Sequence, residues 1–134
     1  MIYFDSSALL KFVKQEKESA ALRSWRQTLP AGVEMVTSQL STLEISRTLL
    51  RAGADKQRVP YVAGQAIRGL YLVDVTSTVL NRARAYGIRR LGSLDAIHLA
   101  TADPFLTELT DFVTYDDELA AAAAELGLPA AAPA

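Results

Sequence analysis

The chain has 134 residues, half of them apolar and 22% charged, with a net charge of −1; that suits one soluble domain with a true core and excludes a disordered chain. It has no cysteine and one histidine, which excludes disulfides, thiol nucleophiles and thiolate or His-rich zinc sites, so any metal must sit on oxygen ligands. No apolar run approaches the ~20 residues a bilayer crossing needs, and no basic leader precedes "MIYFD", so a cytoplasmic protein with no membrane contact is expected.

In chain order, "MIYFD" predicts a short buried strand ending at Asp5, and "SSALLKFV" a helix with Ser6 as its N-cap. "KESAALRSWRQTL" predicts a second helix, stopped by Pro30 and Gly32, and "VEMVTS" a second strand. "LSTLEISRTLLRAG" predicts a helix with Gly53 as its C-cap. A further helical stretch covers Lys56 to Gly69, irregular near Pro60 and Gly64. "LYLVDV" predicts a third strand and "STVLNRARAYGIRRL" the helix after it. "SLDAIHLATA" predicts a helix capped by Ser93, with Pro104 marking its end or a kink. "DFVTY" predicts a fourth strand and "DELAAAAAELG" a last helix. The Ala/Pro-rich tail from about residue 128 carries no assigned role. With no repeat and no linker, residues 1–134 read as a single α/β domain. Its strands alternate with helices, which implies a mostly parallel sheet covered on both faces.

Ligands of such sheets bind at the carboxyl ends of the strands. Asp5 directly follows "IYF" and Asp116 directly follows "FVTY", so both fall on that edge. Glu44 lies early in the helix after the second strand, and Asp95 in the first turn of its own helix. Each has a structural explanation when taken singly. Asp95 suits its helix dipole, for ~0.3–1 kcal/mol. Glu44 can pair with Arg47 at i+3, for ~0.2–0.5 kcal/mol. Asp5 and Asp116 can cap helices. Convergence of all four is another matter, because carboxylates ~4 Å apart repel by about 4 kcal/mol at an effective dielectric of 20. A hard divalent cation removes that repulsion; Mg²⁺ or Mn²⁺ fits best, and would activate water for hydrolysis of a phosphodiester.

Charge distribution fits the same picture. Residues 1–90 hold all 14 Lys and Arg against 7 acids, whereas residues 91–134 hold 8 acids and no base. A basic body beside an acidic centre can hold a phosphate backbone, although solvated helical faces explain the same asymmetry. No Gly-rich phosphate loop with Lys is present, which argues against ATP or GTP chemistry.

The motifs "MIYFDSSALLK", "TSQLSTLEISRTL", "LDAIHLATA" and "FVTYDDELAAAAAELGL" resemble the PIN-domain family, and within it the VapC toxins of bacterial toxin–antitoxin pairs. The resemblance runs from Met1 to about Leu128. It implies a three-layer α/β/α sandwich with a central sheet of four or five strands. It also implies a Mg²⁺- or Mn²⁺-dependent endoribonuclease leaving 5′-phosphate and 3′-hydroxyl ends, a homodimer, and a cognate VapB-like antitoxin that blocks the site. DNA would be met only through that antitoxin. By position, Asp5, Glu44, Asp95 and Asp116 match the family's metal-binding acids, Ser6 the hydroxyl residue beside the first acid, and Asp117 an assistant to Asp116. Lys11, Lys14, Arg47 and Arg51 are candidates for RNA or antitoxin contacts. Pro104 is the departure from the family pattern, and it touches no ligand position.

His98 shares a helix face with Asp95, Leu99 and Ala102, which points to a satisfied core histidine rather than a catalytic base. Asp74 lies inside a strand pattern and is left out of the site. Two other readings stay open: a PIN-like module that binds RNA or protein without cutting, and a DNA nuclease of the same fold.

Overall fold

Three consecutive apolar residues, Ile2–Phe4, form β1, and all three side chains are fully buried. A strand buried on both faces must lie inside a covered sheet. In the computed structural model, which describes residues 1–134, β1 is the middle strand of five. The order is β3-β2-β1-β4-β5, with β2 at Met35–Ser38, β3 at Tyr71–Val73, β4 at Asp111–Val113 and β5 at Ala130–Ala131. Every pairing is parallel, and β1 is in register with both neighbours: Tyr3 opposes Val36 on one side and Phe112 on the other.

Alternation along β1 divides the core. Ile2 and Phe4 pack with Ala8 and Leu9 of α1 (Ser6–Leu10), Leu22 of α2 (Ser19–Gln27), Ile45 of α3 (Leu40–Arg51) and Ala63 of α4 (Val59–Ala66). Tyr3 points the other way, among Leu99 of α6 (Ser93–Ala102), Phe112, and Leu119 and Ala122 of α7 (Asp117–Glu125). Helix α5 (Ser77–Ala85) packs beside α6. The result is the expected three-layer α/β/α sandwich, and its centre rests on period-two burial. Full burial is worth ~1.5–3 kcal/mol for each large apolar side chain, so Phe4→Ala would cost about 3–5 kcal/mol.

Several local expectations shift. Asp5, not Ser6, caps α1, because its carboxylate takes the Ala8 amide while Ser6 is already helical. Gly92, not Ser93, precedes α6, and no side chain caps that helix. Helix α3 ends at Arg51 with Ala52 as its cap; Gly53 comes next at φ +90°, the left-handed conformation that stops the chain. Pro60 belongs to the first turn of α4, where a missing N–H costs nothing, and Gly64 is accommodated within the helix. The helix after the third strand stops at Ala85 instead of running to Leu91. Tyr86 turns extended there (ψ 127°), and its hydroxyl donates to Asp103 at 3.0 Å. Pro104 follows α6 in a single 3₁₀ turn, Asp103–Phe105, so the helix ends without a kink.

The tail contributes the fifth strand. Pro129 accepts from the Phe112 amide at 2.8 Å, Ala131 accepts from the Thr114 amide at 3.1 Å, and the Tyr115 hydroxyl donates to Pro133 at 2.6 Å. Composition hid this element, since two alanines show no strand pattern. No helix is long and apolar enough to cross a membrane.

The topology also fixes where a ligand can enter. From β1 the chain moves to β2 and β3 on one side, then returns to place β4 on the other. The carboxyl ends of β1 and β4 therefore flank a topological switch point, the crevice such sheets use for binding.

Candidate active site

Asp5 leaves the end of β1 in extended conformation and buries its carboxylate in that crevice. Its Oδ1 accepts from the Ala8 amide at 3.0 Å and the Ser7 hydroxyl at 2.7 Å, and its Oδ2 from the Thr114 hydroxyl at 2.6 Å. Thr114 and Ser7 are themselves anchored: the Asp116 amide donates to Thr114 Oγ1 at 3.1 Å, and the Tyr115 amide to Ser7 Oγ at 3.0 Å. The two central strand ends are thus sewn together through one carboxylate. Burial raises the Asp5 pKa, opposed first by His98 and then by the three donors.

Asp95 stands half-buried in the first turn of α6, and its side chain makes no hydrogen bond within the chain. Its pKa is pushed up to about 6, first by burial and then by the charge of Asp116; Asp5 and Glu44 add to the rise and His98 opposes it. Four acids from four distant stretches therefore share one electrostatic environment. Asp116 is exposed and caps α7, accepting from the Leu119 amide at 2.9 Å. Asp117 beside it is exposed in the first helical turn.

Glu44 projects from the second turn of α3, where His98 Nε2 meets its Oε1 at 2.6 Å. The other ring nitrogen, Nδ1, lies 2.6 Å from the hydroxyl of Tyr3. His98 is 1% exposed, so it is a fully satisfied interior histidine and cannot reach a substrate. Tyr3 stacks on Phe112 with ring centroids 5.0 Å apart, and meets His98 edge-on at 5.9 Å.

The remaining candidates separate by environment. Ser6 lines a shallow groove of about 340 Å³ with Leu43, Glu44, Arg47, Arg51 and Leu94, while the hydroxyl bonded to Asp5 belongs to Ser7. Arg47, Arg51 and Lys14 are exposed. Lys11 is not available at the surface: it is buried, bonded to Glu18 at 2.8 Å and near Glu16 at 3.6 Å, with its ammonium 4.7 Å above the Tyr115 ring. Asp74 is exposed beyond β3. Sequence reasoning missed Ser7, Thr114 and Tyr3 as supports of the site. The only available signal was position, each lying within two residues of a candidate acid.

The chemistry of this donor set suits a hard divalent ion, since it offers carboxylate oxygens alone. One oxygen each of Glu44 and Asp116, and both of Asp95, accept no hydrogen bond from the chain. The spacing does not yet close on one point: no group of three such side chains stands close enough to hold an ion.

A family model for the PIN domain matches residues 2–125. Ribonuclease VapC47 of Mycobacterium tuberculosis is 39% identical over 99% of this chain and 97% of its own length. Ribonuclease VapC35 of the same species is 37% identical over 99% and 97%. Among solved structures, the Mycobacterium tuberculosis toxin VapC20, described as cleaving the sarcin–ricin loop, superposes with TM-score 0.73 at 16% identity, covering 91% of this chain and 95% of that one. VapBC2 from Rickettsia felis, bound to a DNA fragment of its promoter, gives TM-score 0.74 at 11% identity with both chains covered fully. The chain belongs to the PIN domain family, with ribonucleases of the VapC group as its relatives over nearly its whole length.

Proposed function

We propose that this chain is a Mg²⁺- or Mn²⁺-dependent endoribonuclease and the toxin of a toxin–antitoxin pair. The observation that carries the reading is the electrostatic convergence of Asp5, Glu44 and Asp116 on Asp95 at the switch-point crevice. Its curated relatives are named ribonucleases, which supports the same activity here. Asp5, Glu44, Asp95 and Asp116 would hold the ion; when bound, it supplies a water of lowered pKa and a counter-charge for the phosphodiester.

The chain's own residues do the rest. Ser7 and Thr114 fix Asp5, and His98 fixes Glu44. Arg47 and Arg51 stand on the same helix as Glu44 and line the groove beside it, where they can hold backbone phosphates. Lys14, exposed beyond α1, is a further contact. Asp117 can assist Asp116. The partners of this reading are RNA, a homodimeric copy, and an antitoxin that fills the groove. Solved neighbours include toxin–antitoxin complexes from Klebsiella pneumoniae and Haemophilus influenzae, which supports such a partner.

The absence of any preformed three-ligand group favours a second reading, a PIN-like module that binds without cutting. One experiment separates them. Purified protein is incubated with a mixed RNA pool and, in parallel, single-stranded DNA, with Mg²⁺ or with excess chelator. Metal-dependent RNA fragments bearing 5′-phosphates support the nuclease; intact RNA at every metal concentration supports the binding module, and cleavage confined to DNA indicates a DNA nuclease.

A further inference from the structure

The single histidine of the chain is engaged at both ring nitrogens, by a phenol on one side and a carboxylate on the other. Neither Tyr3 nor His98 is reachable by a substrate, since their exposures are 0% and 1%. Their bonds nonetheless lead out of the core to Glu44, whose side chain is 17% exposed at the groove. The three groups sit on three elements, β1, α6 and α3, which belong to both helical layers and the sheet between them.

The carboxylate at its outer end sets the hydrogen-bond polarity along this chain. The Glu44 carboxylate can only accept, so in the neutral imidazole the proton is on Nε2, which donates to Oε1 at 2.6 Å. Nδ1 is left as an acceptor, and the Tyr3 hydroxyl, 2.6 Å away, is the group that donates to it. We propose that Tyr3 and His98 are positioning residues for Glu44, a two-bond relay that holds one carboxylate oxygen inward and presents the other to the crevice. Outer partners of this kind set the orientation and tautomer of metal-binding groups, and their loss typically weakens metal affinity 10–100-fold. The inference rests on Glu44 being a metal ligand.

The protein's one histidine makes the test direct, because its imidazole nitrogens give a single pair of ¹⁵N resonances. Tyr3→Phe removes one hydroxyl and keeps the ring stacked on Phe112. The full-length wild type, Tyr3→Phe and Glu44→Gln are compared by imidazole ¹⁵N NMR, by Mn²⁺ titration without RNA, and by thermal melting. In the wild type, Nε2 is expected to carry the proton and Nδ1 to be a hydrogen-bonded acceptor. In Tyr3→Phe, the Nδ1 resonance should move toward that of a free acceptor and Mn²⁺ affinity should fall about tenfold with the fold intact. His98→Gln, whose amide can still donate to Glu44, should lose less affinity than His98→Ala; if both lose equally, the bond to Glu44 is not what matters and the relay fails. An Nδ1-protonated wild type overturns the relay. So does a Tyr3→Phe variant that binds Mn²⁺ like wild type while Glu44→Gln does not. If Glu44→Gln itself binds Mn²⁺ normally, the metal role of Glu44 fails instead.

Discussion

The hydrogen bond between His98 Nε2 and Glu44 Oε1, at 2.6 Å, joins α6 to α3 across the carboxyl edge of the sheet. It binds a wholly buried group to one at the groove, so the placement of a surface carboxylate depends on the core. A second such link is Thr114 to Asp5, at 2.6 Å, which ties β4 to β1. Between these links lies Asp95, whose carboxyl bears the charge of its neighbours with no hydrogen bond in return.

The pH dependence of the metal-free protein follows from that strain. Asp95 has a folded pKa of about 6 against an ordinary 3.8. The folded chain therefore binds the proton more tightly, and its contribution is fully present below about pH 4 and lost as pH rises through 6. In chelator, the melting temperature should fall across this window. Asp95→Asn should flatten the fall and melt above wild type at pH 7.5.

Thr114→Val removes a donor to the buried carboxylate of Asp5 without changing side-chain volume much. The loss should be about 1.5–3 kcal/mol at neutral pH, as for hydrogen bonds to charged groups. Because the deficit comes from the charged carboxylate, it should shrink in acid. Urea unfolding at pH 7.5 and pH 4 measures both values; equal losses at the two pH values would show that Asp5 is not the partner that matters.

The arginines of α3 and Lys11, which caps the end of α1, should behave differently toward RNA. Arg47→Ala and Arg51→Ala are each expected to lower the salt slope of single-strand binding by ~0.7, the value for one lost phosphate contact. Lys11→Met should leave the slope unchanged, since its charge is satisfied by Glu18 inside the fold. Binding to an uncleaved RNA in chelator, at several salt concentrations, gives the slopes.

Deleting residues 129–134 removes β5 and the three hydrogen bonds made by Pro129, Ala131 and Pro133. At ~0.5–1.5 kcal/mol each, the expected cost is about 2–4 kcal/mol. The Thr114 amide loses its acceptor, the Ala131 carbonyl, so metal affinity should fall as well as stability. A truncated chain with wild-type stability would show that the tail does not belong to the sheet.

What could be read from the amino acids depended on range. The buried strand at Ile2–Phe4, the alternation of strands with helices, and the placement of Asp5 at a strand end are local patterns, and all appear in the fold. β4 stops at Val113, so Asp116 stands three residues beyond it as the cap of α7. Boundaries set by one side-chain bond were not legible: Asp5 displaced Ser6 as a cap, and Tyr86 ended α5 by reaching Asp103. Lys11 looked like any surface lysine because Glu18 and Tyr115 meet it only after folding. Likewise the partners of His98 lie 95 and 54 residues away; its burial could be inferred from the helix face, its attachment to Glu44 could not. β5 escaped because Ala130 and Ala131 pair through their backbone alone.

In the proposed function, Asp95 with Asp5, Glu44 and Asp116 forms one divalent-cation site that drives RNA hydrolysis. It is tested most directly by the rate of RNA cleavage against Mn²⁺ concentration for wild type and Asp95→Asn, with folding of both verified by melting. Wild type should show saturable metal dependence, and the variant should be slower by at least about a hundredfold at every concentration. A folded Asp95→Asn protein that cleaves at the wild-type rate, with the same metal dependence, would contradict it.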